Sequence, residues 1–174
     1  REAVFKILAK ESLSIHEKLI VILDMGSKIQ QCINTDEYDN IKSVVNDYLK
    51  EGIAHTLDET RNLSDSGQFE DISLQQGIRQ ILYPYEEMEV LNPEWEVILK
   101  DIIDSLFEQM SDEEYNILNE EFGTYMVSRA YEYRQLLEYL VFRYFAKSIY
   151  DYDFLGKCQM LVTNFFVIRQ MDII

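Results

Sequence analysis

The sequence predicts an all-α fold, a helical bundle of about seven or eight helices around a central hydrophobic antiparallel helix pair. Three observations support this fold class. Apolar residues recur at the three- and four-residue intervals of a helix along most of the chain. Helix-capping motifs precede several of these segments. The 174 residues include only six glycines and two prolines, fewer than the turns of a β-sandwich or barrel would require.

Residues 125–150 are the predicted centre of the bundle. This segment contains neither proline nor glycine, and its apolar residues fall on all sides of a helical wheel, as in a helix that is buried all round. Charged residues such as Arg134 and Lys147 interrupt it, so it is too polar to span a membrane. A second apolar helix is predicted over residues 154–171 after a short corner. We therefore expect these two helices to pack as an antiparallel pair.

Three helices are predicted before residue 52. The first covers residues 2–10. The second begins at a capping box, in which the Ser14 hydroxyl accepts a hydrogen bond from the third helical amide and Glu17 reaches back. The third covers residues 36–51, and Gly52 is expected to end it.

The segment 58–69 is polar, contains a Ser-Gly pair and is predicted to be a loop. It is a possible internal boundary, and residues 64–68 within it are expected to be the most mobile interior stretch. Neither flank contains enough apolar residues for a convincing core of its own, so we predict a single domain over residues 1–174. Helix is expected to resume over residues 72–83 and to break near Pro84.

Two further helix starts are predicted in the second half of the chain. Asn92 is a capping residue followed by proline and glutamate, and it should open a helix over residues 93–110. Ser111 and Glu114 form a second capping box, which should open a short helix to about residue 122. Gly123 is expected to separate that helix from the central one.

The composition excludes several classes of function. The net charge of −16 disfavours binding to nucleic acid or to an anionic membrane surface, whereas a basic protein or peptide partner is compatible with it. Cys32 and Cys158 lack metal-type spacing and are expected to be buried reduced thiols. No signal peptide or membrane span is recognisable, which predicts a cytoplasmic location. Since the chain begins with Arg1 and enters a helical pattern at once, we expect it to be part of a longer protein.

Recognisable catalytic motifs are absent from the sequence. The two histidines lack partners at useful spacing, and no glycine-rich phosphate loop occurs. Acid-rich runs at residues 85–89 and 112–114 are better explained as solvated helix ends than as cation sites. The catalytic residues are therefore unknown from sequence, and no metal site is predicted.

The least ordinary cluster lies in the predicted central helix. Seven of the twelve tyrosines fall between residues 125 and 152, interleaved with charged residues. Arg134 and Glu138 have the spacing of a helical ion pair. Arg143 lies among aromatic residues and is predicted to be the most deeply buried charge, where it requires a polar or aromatic partner. The cluster is either a structural ion pair with a neighbouring helix or a ligand pocket of aromatic and charged groups.

Several of these segments resemble a known family. LLEYLVFRYF at residues 136–145, KSIYD at residues 147–151 and the helix from GKC to VIR at residues 156–169 are similar to the C-terminal part of the flagellin lysine-N-methylase family. SIHEKL at residues 14–19 resembles the start of another helix of that family, with Lys18 at a position where the family usually has arginine. The resemblance covers both ends of the chain.

The resemblance implies that this chain is the C-terminal helical domain of an S-adenosylmethionine-dependent enzyme that methylates lysine side chains of flagellin. Family members have a cysteine-rich N-terminal part suited to a metal or an iron–sulfur cluster. This chain lacks that part, so the implied partners are flagellin and the missing N-terminal part of the same protein. The chain alone is expected to lack turnover.

Within this interpretation, the domain contributes to a substrate or cofactor pocket. Tyrosines serve such pockets through cation–π contacts and hydroxyl hydrogen bonds. The candidate substrate-binding residues are Tyr131, Arg134, Glu138, Tyr139, Arg143 and Tyr144. The alternative is a non-enzymatic helical module for dimerisation or effector binding.

Overall fold

The computed structural model of the protein describes residues 1–50, 52–65, 72–87 and 92–174. These residues form helices and connecting segments without a β-strand, and the predicted all-α fold class is confirmed. No helix in the described ranges has both the length and the apolar character needed to cross a membrane.

The helices follow one another with short connections. Single turns of 3₁₀-helix occur at Val127–Arg129 and Phe145–Lys147, and a π-helical turn at Asp104–Glu108. The α-helices are α1 (Glu2–Leu8), α2 (Ile15–Asn34), α3 (Tyr38–Lys50), α4 (Gly52–Asp65), α5 (Leu74–Glu86), α6 (Pro93–Ile103), α7 (Asp112–Met126), α8 (Ala130–Tyr144), α9 (Ser148–Asp151) and α10 (Phe154–Asp172).

The chain divides into two compact units. One unit comprises residues 1–67 and 130–162, and the other comprises residues 68–129 and 163–174. The prediction of a single domain stays a prediction.

In the first unit, α2 contacts α1, α3, α4 and α8. The predicted capping box at its start is confirmed, since the Glu17 amide donates to Ser14 Oγ at 3.2 Å and the Ser14 amide donates to Glu17 Oε2 at 2.8 Å. The buried face of α2 includes Leu19, Ile22, Gly26 and Ile29.

A polar network ties α3 and α4 to α2. The Asp24 carboxylate accepts hydrogen bonds from the hydroxyls of Tyr48 and of Thr56, the latter at 2.7 Å, and Lys28 Nζ lies 3.3 Å from it. Burial alone would raise the pKa of Asp24, but these hydrogen bonds and the lysine charge outweigh it and lower the pKa. The network satisfies the polar end of Tyr48, whose side chain is otherwise enclosed.

The second unit is built on α5, which contacts α6, α7 and the π-helical turn. Gln75 Nε2 donates to the backbone carbonyls of Leu106 at 2.6 Å and Met110 at 2.9 Å, so it holds that turn in place. The Tyr115 hydroxyl donates to Gln170 Oε1 at 2.9 Å. Two apolar clusters form the core of this unit: Ile78, Leu82, Leu99, Ile103 and Val167 in one, and Ile102, Leu106, Tyr115 and Ile173 in the other.

The prediction of a continuous, fully buried helix over residues 125–150 is wrong. The two 3₁₀ turns, Val127–Arg129 and Phe145–Lys147, divide this segment, and α8 lies between them. Phe142 is 64% exposed and Tyr139 59% exposed. The buried face of α8 is a single stripe with helical spacing, Tyr133, Leu137, Leu140 and Val141. For Tyr139 the sequence pattern was misleading because tyrosine counts as apolar on a helical wheel, although its hydroxyl is readily solvated.

The helix that is enclosed on most sides is α10. Only Gln159 and Asp172 are exposed along its length, and its bounds agree closely with the predicted helix over residues 154–171. Its apolar residues show little preference for one face, as a helix surrounded by other elements should. The antiparallel pairing of α10 with α8 stays a prediction.

The predicted loop over residues 58–69 is wrong in its first part, because α4 continues to Asp65. Polar side chains of this segment interact within the helix, and Arg61 pairs at 3.3 Å with the aspartate three residues before it. Ser64 therefore lies in a helix. The rest of the predicted loop and of the predicted mobile stretch, residues 66–69, lies outside the described residues.

One expected helix break is wrong, because Gly123 lies inside α7. The break expected at Gly52 is confirmed, since α3 ends at Lys50 and α4 begins at Gly52. Pro84 lies in the last turn of α5, where the loss of one backbone hydrogen bond is tolerated. The helix predicted over residues 93–110 changes to a π-helical turn after Ile103.

Candidate functional site: an acidic and aromatic groove

The residues predicted from sequence lie on α8 and extend to different sides of it. Tyr131, Tyr139 and Arg143 are exposed, so the prediction that Arg143 is a deeply buried charge is wrong. Arg134 Nε and Glu138 Oε1 are 3.7 Å apart, with each side chain about a third exposed. The predicted helical pair is therefore present at the surface of α8.

These side chains do not converge on one pocket. Successive residues of a helix are rotated by about 100°, which places Tyr131 near Arg134, Tyr139 near Arg143, and Tyr144 on a third side. The ammonium of Lys147 lies over the Tyr144 ring at 5.4 Å. As substrate-binding residues they stay a prediction.

The buried basic residue of this region is Lys18, which is only 8% exposed. Its pKa is lowered, first by loss of solvent and then by the charge of Arg134, while Glu11 and Glu138 act in the opposite direction. Arg134 Nε has no hydrogen-bond partner in the described part of the chain. The cluster joins α2 to α8, but it lines none of the grooves described next.

Three grooves differ in their chemistry. One of about 410 Å³ between α1, α2, α3 and α9 is apolar, with Arg1 as its single charged lining residue. A second of about 330 Å³ in the same unit is basic, with Lys10, Lys50 and Arg61 against Asp58. The third, of about 450 Å³, lies in the other unit between α5, α6 and the π-helical turn, and it combines aromatic residues with carboxylates.

Four of the residues that line this α5–α6 groove are apolar or aromatic. Leu99 and Ile103 line it and are also buried in the core of the unit. Tyr85 and Trp95 line it as well, are half-buried, and pack against the same core cluster. The two rings come from different helices and are fixed by that packing.

Charged residues surround the aromatic pair. Arg79 Nη1 is paired with Glu86 Oε2 at 2.7 Å. A stripe on the α6 side carries four more charges at intervals of four residues, and none of them has an ion pair in the described part of the chain: Glu96, Lys100, Asp104 and Glu108. The lining thus has four carboxylates and two basic groups, which makes it attractive to a cation.

Local sequence explains why the groove has this shape. The Asn92 side chain accepts a hydrogen bond from the Glu94 amide at 3.1 Å, and Pro93 follows it at the first helical position. Trp95 is consequently fixed in the first turn of α6. At the other end, the Gln75 hydrogen bonds hold the π-helical turn that carries Asp104 and Glu108.

The Tyr85 side chain brings a hydroxyl group to the groove lining. Burial raises the pKa of its hydroxyl. That hydroxyl makes no hydrogen bond to any of the described residues. It can therefore donate to, or accept from, a molecule in the groove.

The described ranges contain no group of three or more histidine, cysteine, aspartate or glutamate residues placed to hold a metal ion. Burial raises the pKa of the Cys158 thiol to about 12, so it stays protonated at neutral pH. The rings and carboxylates that line the groove are suited to recognition of a cation.

The fold and the groove define a class: an all-helical domain with a site suited to an amine-bearing ligand. Comparison with family models gives the particular family. The model described as "FliB lysine N-methylase C-terminal domain" matches residues 1–174, the whole chain, and the chain belongs to this family. The resemblance identified from sequence is confirmed. Searches among curated proteins and among solved structures found no match.

Sequence reasoning missed the groove, although its residues were visible. The acid-rich run at residues 85–89 indicates a solvated helix end, and the proline-capped helix that follows carries no recognisable site motif. The signal was the single tryptophan of the chain, Trp95, only nine residues after Glu86. An isolated tryptophan beside carboxylates is a composition that a site for an organic cation needs.

Proposed function

We propose that this domain binds the lysine side chain of the protein substrate in the α5–α6 groove. The enzyme of which it is the C-terminal domain would then transfer a methyl group from S-adenosylmethionine to lysines of flagellin. The observation that carries the proposal is the combination, in one groove, of Trp95 and Tyr85 with four carboxylates. It is supported by membership in a lysine N-methylase family.

Physical chemistry selects this groove over the other two. A lysine ammonium is attracted both by carboxylates and by the faces of aromatic rings, tryptophan most strongly. The apolar groove offers it no carboxylate, and the basic groove would repel it. The net charge of −16 further favours approach of a basic segment of a partner protein.

The same electrostatics limit the role of the groove to recognition. Methyl transfer requires a neutral amine, because only the lone pair of the nitrogen can attack the sulfonium methyl. Carboxylates near a lysine stabilise its charged form and raise its pKa, which opposes deprotonation. We therefore assign the methyl-transfer step to another part of the enzyme, and we expect the 174-residue chain to have no turnover by itself.

S-adenosylmethionine fits the α5–α6 groove poorly. Its α-carboxylate would need a free basic partner, but Arg79 is already paired with Glu86 at 2.7 Å. Lys100 is the remaining basic group of the groove, and it lies on a stripe with Glu96 and Asp104. We derive no step through the cofactor here, and we propose that the cysteine-rich N-terminal part of such an enzyme holds it. A cytoplasmic location is part of the same proposal, since unassembled flagellin is the substrate.

The test is the steady-state kinetics of flagellin methylation by the whole enzyme carrying Glu96→Gln and Glu108→Gln together. Both residues are exposed at the rim, so the fold should persist. Removal of two attractive charges should raise KM for flagellin several-fold and leave kcat within about twofold. The effect should shrink as salt is added.

Glu120→Gln with Glu121→Gln on α7 is the matched control, because it removes the same two charges at exposed positions outside the groove. A second comparison, Tyr139→Ala on α8, tests the site predicted from sequence. Equal KM changes in the groove variant and the α7 variant would show that the effect comes from the net charge of the protein and not from the groove. A KM change confined to Tyr139→Ala would transfer substrate binding to α8 and refute the proposal.

A further inference from the structure

We infer that the α5–α6 groove binds a methylated lysine more tightly than an unmodified one, so that the domain retains the product of methylation. This inference rests on the proposed function, because it assumes that a lysine side chain occupies the groove. It adds a preference for the methylation state that neither the family nor the proposed recognition role requires.

The arrangement of apolar and charged groups leads to this preference. Four lining residues of the groove are apolar or aromatic, namely Leu99, Ile103, Trp95 and Tyr85, of which Leu99 is 3% and Ile103 5% exposed. The unpaired carboxylates Glu96 and Glu108 belong to exposed residues at its rim. The buried and half-buried part of the lining is thus mainly apolar and aromatic, with Asp104 and the Glu86-paired Arg79 as its half-buried charged residues.

An unmodified ammonium is poorly suited to such a floor. It has three N–H donors, and burying them against hydrocarbon leaves them without the hydrogen bonds that water provided. The nearest candidate acceptor on α5, Glu86, is engaged by Arg79 at 2.7 Å. The Tyr85 hydroxyl and the Asp104 carboxylate are the remaining acceptors in the half-buried part of the lining, so a primary ammonium would have to direct its three donors to these two groups or to water.

Methylation removes this conflict. Each methyl group replaces an N–H donor with apolar surface, which gains free energy when it is buried on Leu99, Ile103 and the two rings. The positive charge remains, so attraction by the rim carboxylates and the ring faces is kept. Affinity should therefore rise from unmodified to trimethylated lysine, which is the behaviour of aromatic sites for quaternary ammonium groups.

The experiment is isothermal titration of the 174-residue chain with one flagellin-derived peptide in five forms. Four forms carry unmodified, monomethyl, dimethyl or trimethyl lysine. The fifth carries the neutral isostere in which a tert-butyl carbon replaces the trimethylated nitrogen. We expect the trimethyl form to bind at least about threefold more tightly than the unmodified form. The neutral isostere should bind more weakly than the trimethyl form, because it lacks the cation.

Two variants locate the effect. Trp95→Phe keeps an aromatic ring on the core and should reduce the ratio of trimethyl to unmodified affinity. Glu96→Gln with Glu108→Gln should weaken all charged forms by a similar factor and leave the ratio unchanged. Both variants are checked for an unchanged circular dichroism spectrum, and Trp95→Phe is used in place of alanine to avoid a core cavity.

The outcomes separate the two proposals. If the unmodified peptide binds as tightly as the trimethyl form or more tightly, the retention of methylated product is refuted and substrate recognition in the groove stands. If no peptide form binds, both the proposed recognition of lysine in the groove and the inferred preference for methylated lysine are refuted. If the preference survives unchanged in Trp95→Phe and in a Tyr85→Leu variant, the methylated side chain binds elsewhere and the inference is wrong.

Discussion

At Gly26, α2 lies so close to α10 that a side chain does not fit between the two helices. A Cβ atom added there would lie 2.7 Å from Cys158 Sγ, 3.2 Å from Cys158 Cβ and 3.6 Å from Leu155 Cδ1. The first distance is far below van der Waals contact, and Cys158 is fully buried with little room to move. Gly26→Ala should therefore force α2 and α10 apart.

The size of the effect follows from two opposing terms. Alanine is favoured over glycine inside a helix by about 1 kcal/mol. Overpacking of a tight core contact costs about 1–3 kcal/mol. Gly26→Ala should thus lower the free energy of unfolding by about 0–2 kcal/mol relative to the parent chain. Gly123 provides the control, because nothing lies within 4 Å of a Cβ placed there, and Gly123→Ala should gain about 1 kcal/mol.

Urea denaturation followed by far-UV circular dichroism measures both variants. The Gly123 variant should unfold at higher denaturant than the parent and the Gly26 variant at equal or lower denaturant. Adding Cys158→Ala to Gly26→Ala removes the clashing sulfur, so the double mutant should be more stable than the sum of the single effects by about 1 kcal/mol. Equal stabilisation by both glycine substitutions would refute the close contact between α2 and α10.

Three further predictions concern charged residues. Lys18→Met removes a desolvated charge and should keep or raise the melting temperature. Lys28→Met breaks the pair with Asp24 and should lower the free energy of unfolding by about 0.5–1 kcal/mol. A higher melting temperature for Lys28→Met than for Lys18→Met would contradict this prediction. The folded pKa of Asp24 lies below its usual value of 3.8. Its contribution to stability is therefore complete above that pH and is lost as the pH falls through the folded pKa, and Asp24→Asn should flatten this part of an acid titration of stability. Arg143→Met should change the free energy of unfolding by no more than about 0.5 kcal/mol, because Arg143 is exposed. A loss above about 2 kcal/mol, measured by thermal unfolding, would show instead that Arg143 is a buried charge.

The features predicted correctly from sequence depend on a few neighbouring residues. The capping boxes at Ser14 and Ser111 and the cap at Asn92 need only side chains within three positions of the helix start. The all-α class follows from the summed periodicity of many such segments. Those signals are local, so they persist whatever the helices pack against.

The errors arose where the answer depends on residues distant in sequence. Gly26 and Gly123 are both helical glycines, and only the neighbours of each show that one is a close contact and the other is open. Pattern alone likewise could not tell that Tyr139 faces solvent on α8. The groove joins residues from Arg79 on α5 to Glu108 after α6, so no pattern within a single helix indicates it.

The most direct test of lysine recognition uses Trp95, the single tryptophan of the chain, as its own reporter. The intrinsic fluorescence of the 174-residue chain is recorded during titration with a lysine-containing flagellin peptide and with the same peptide carrying norleucine in place of lysine. Because Trp95 lines the groove, we predict a saturable change in emission with the lysine peptide, weakened by added salt, and little change with the norleucine peptide. An emission spectrum that does not respond to the lysine peptide, or responds equally to both peptides, would contradict recognition of the substrate lysine in this groove.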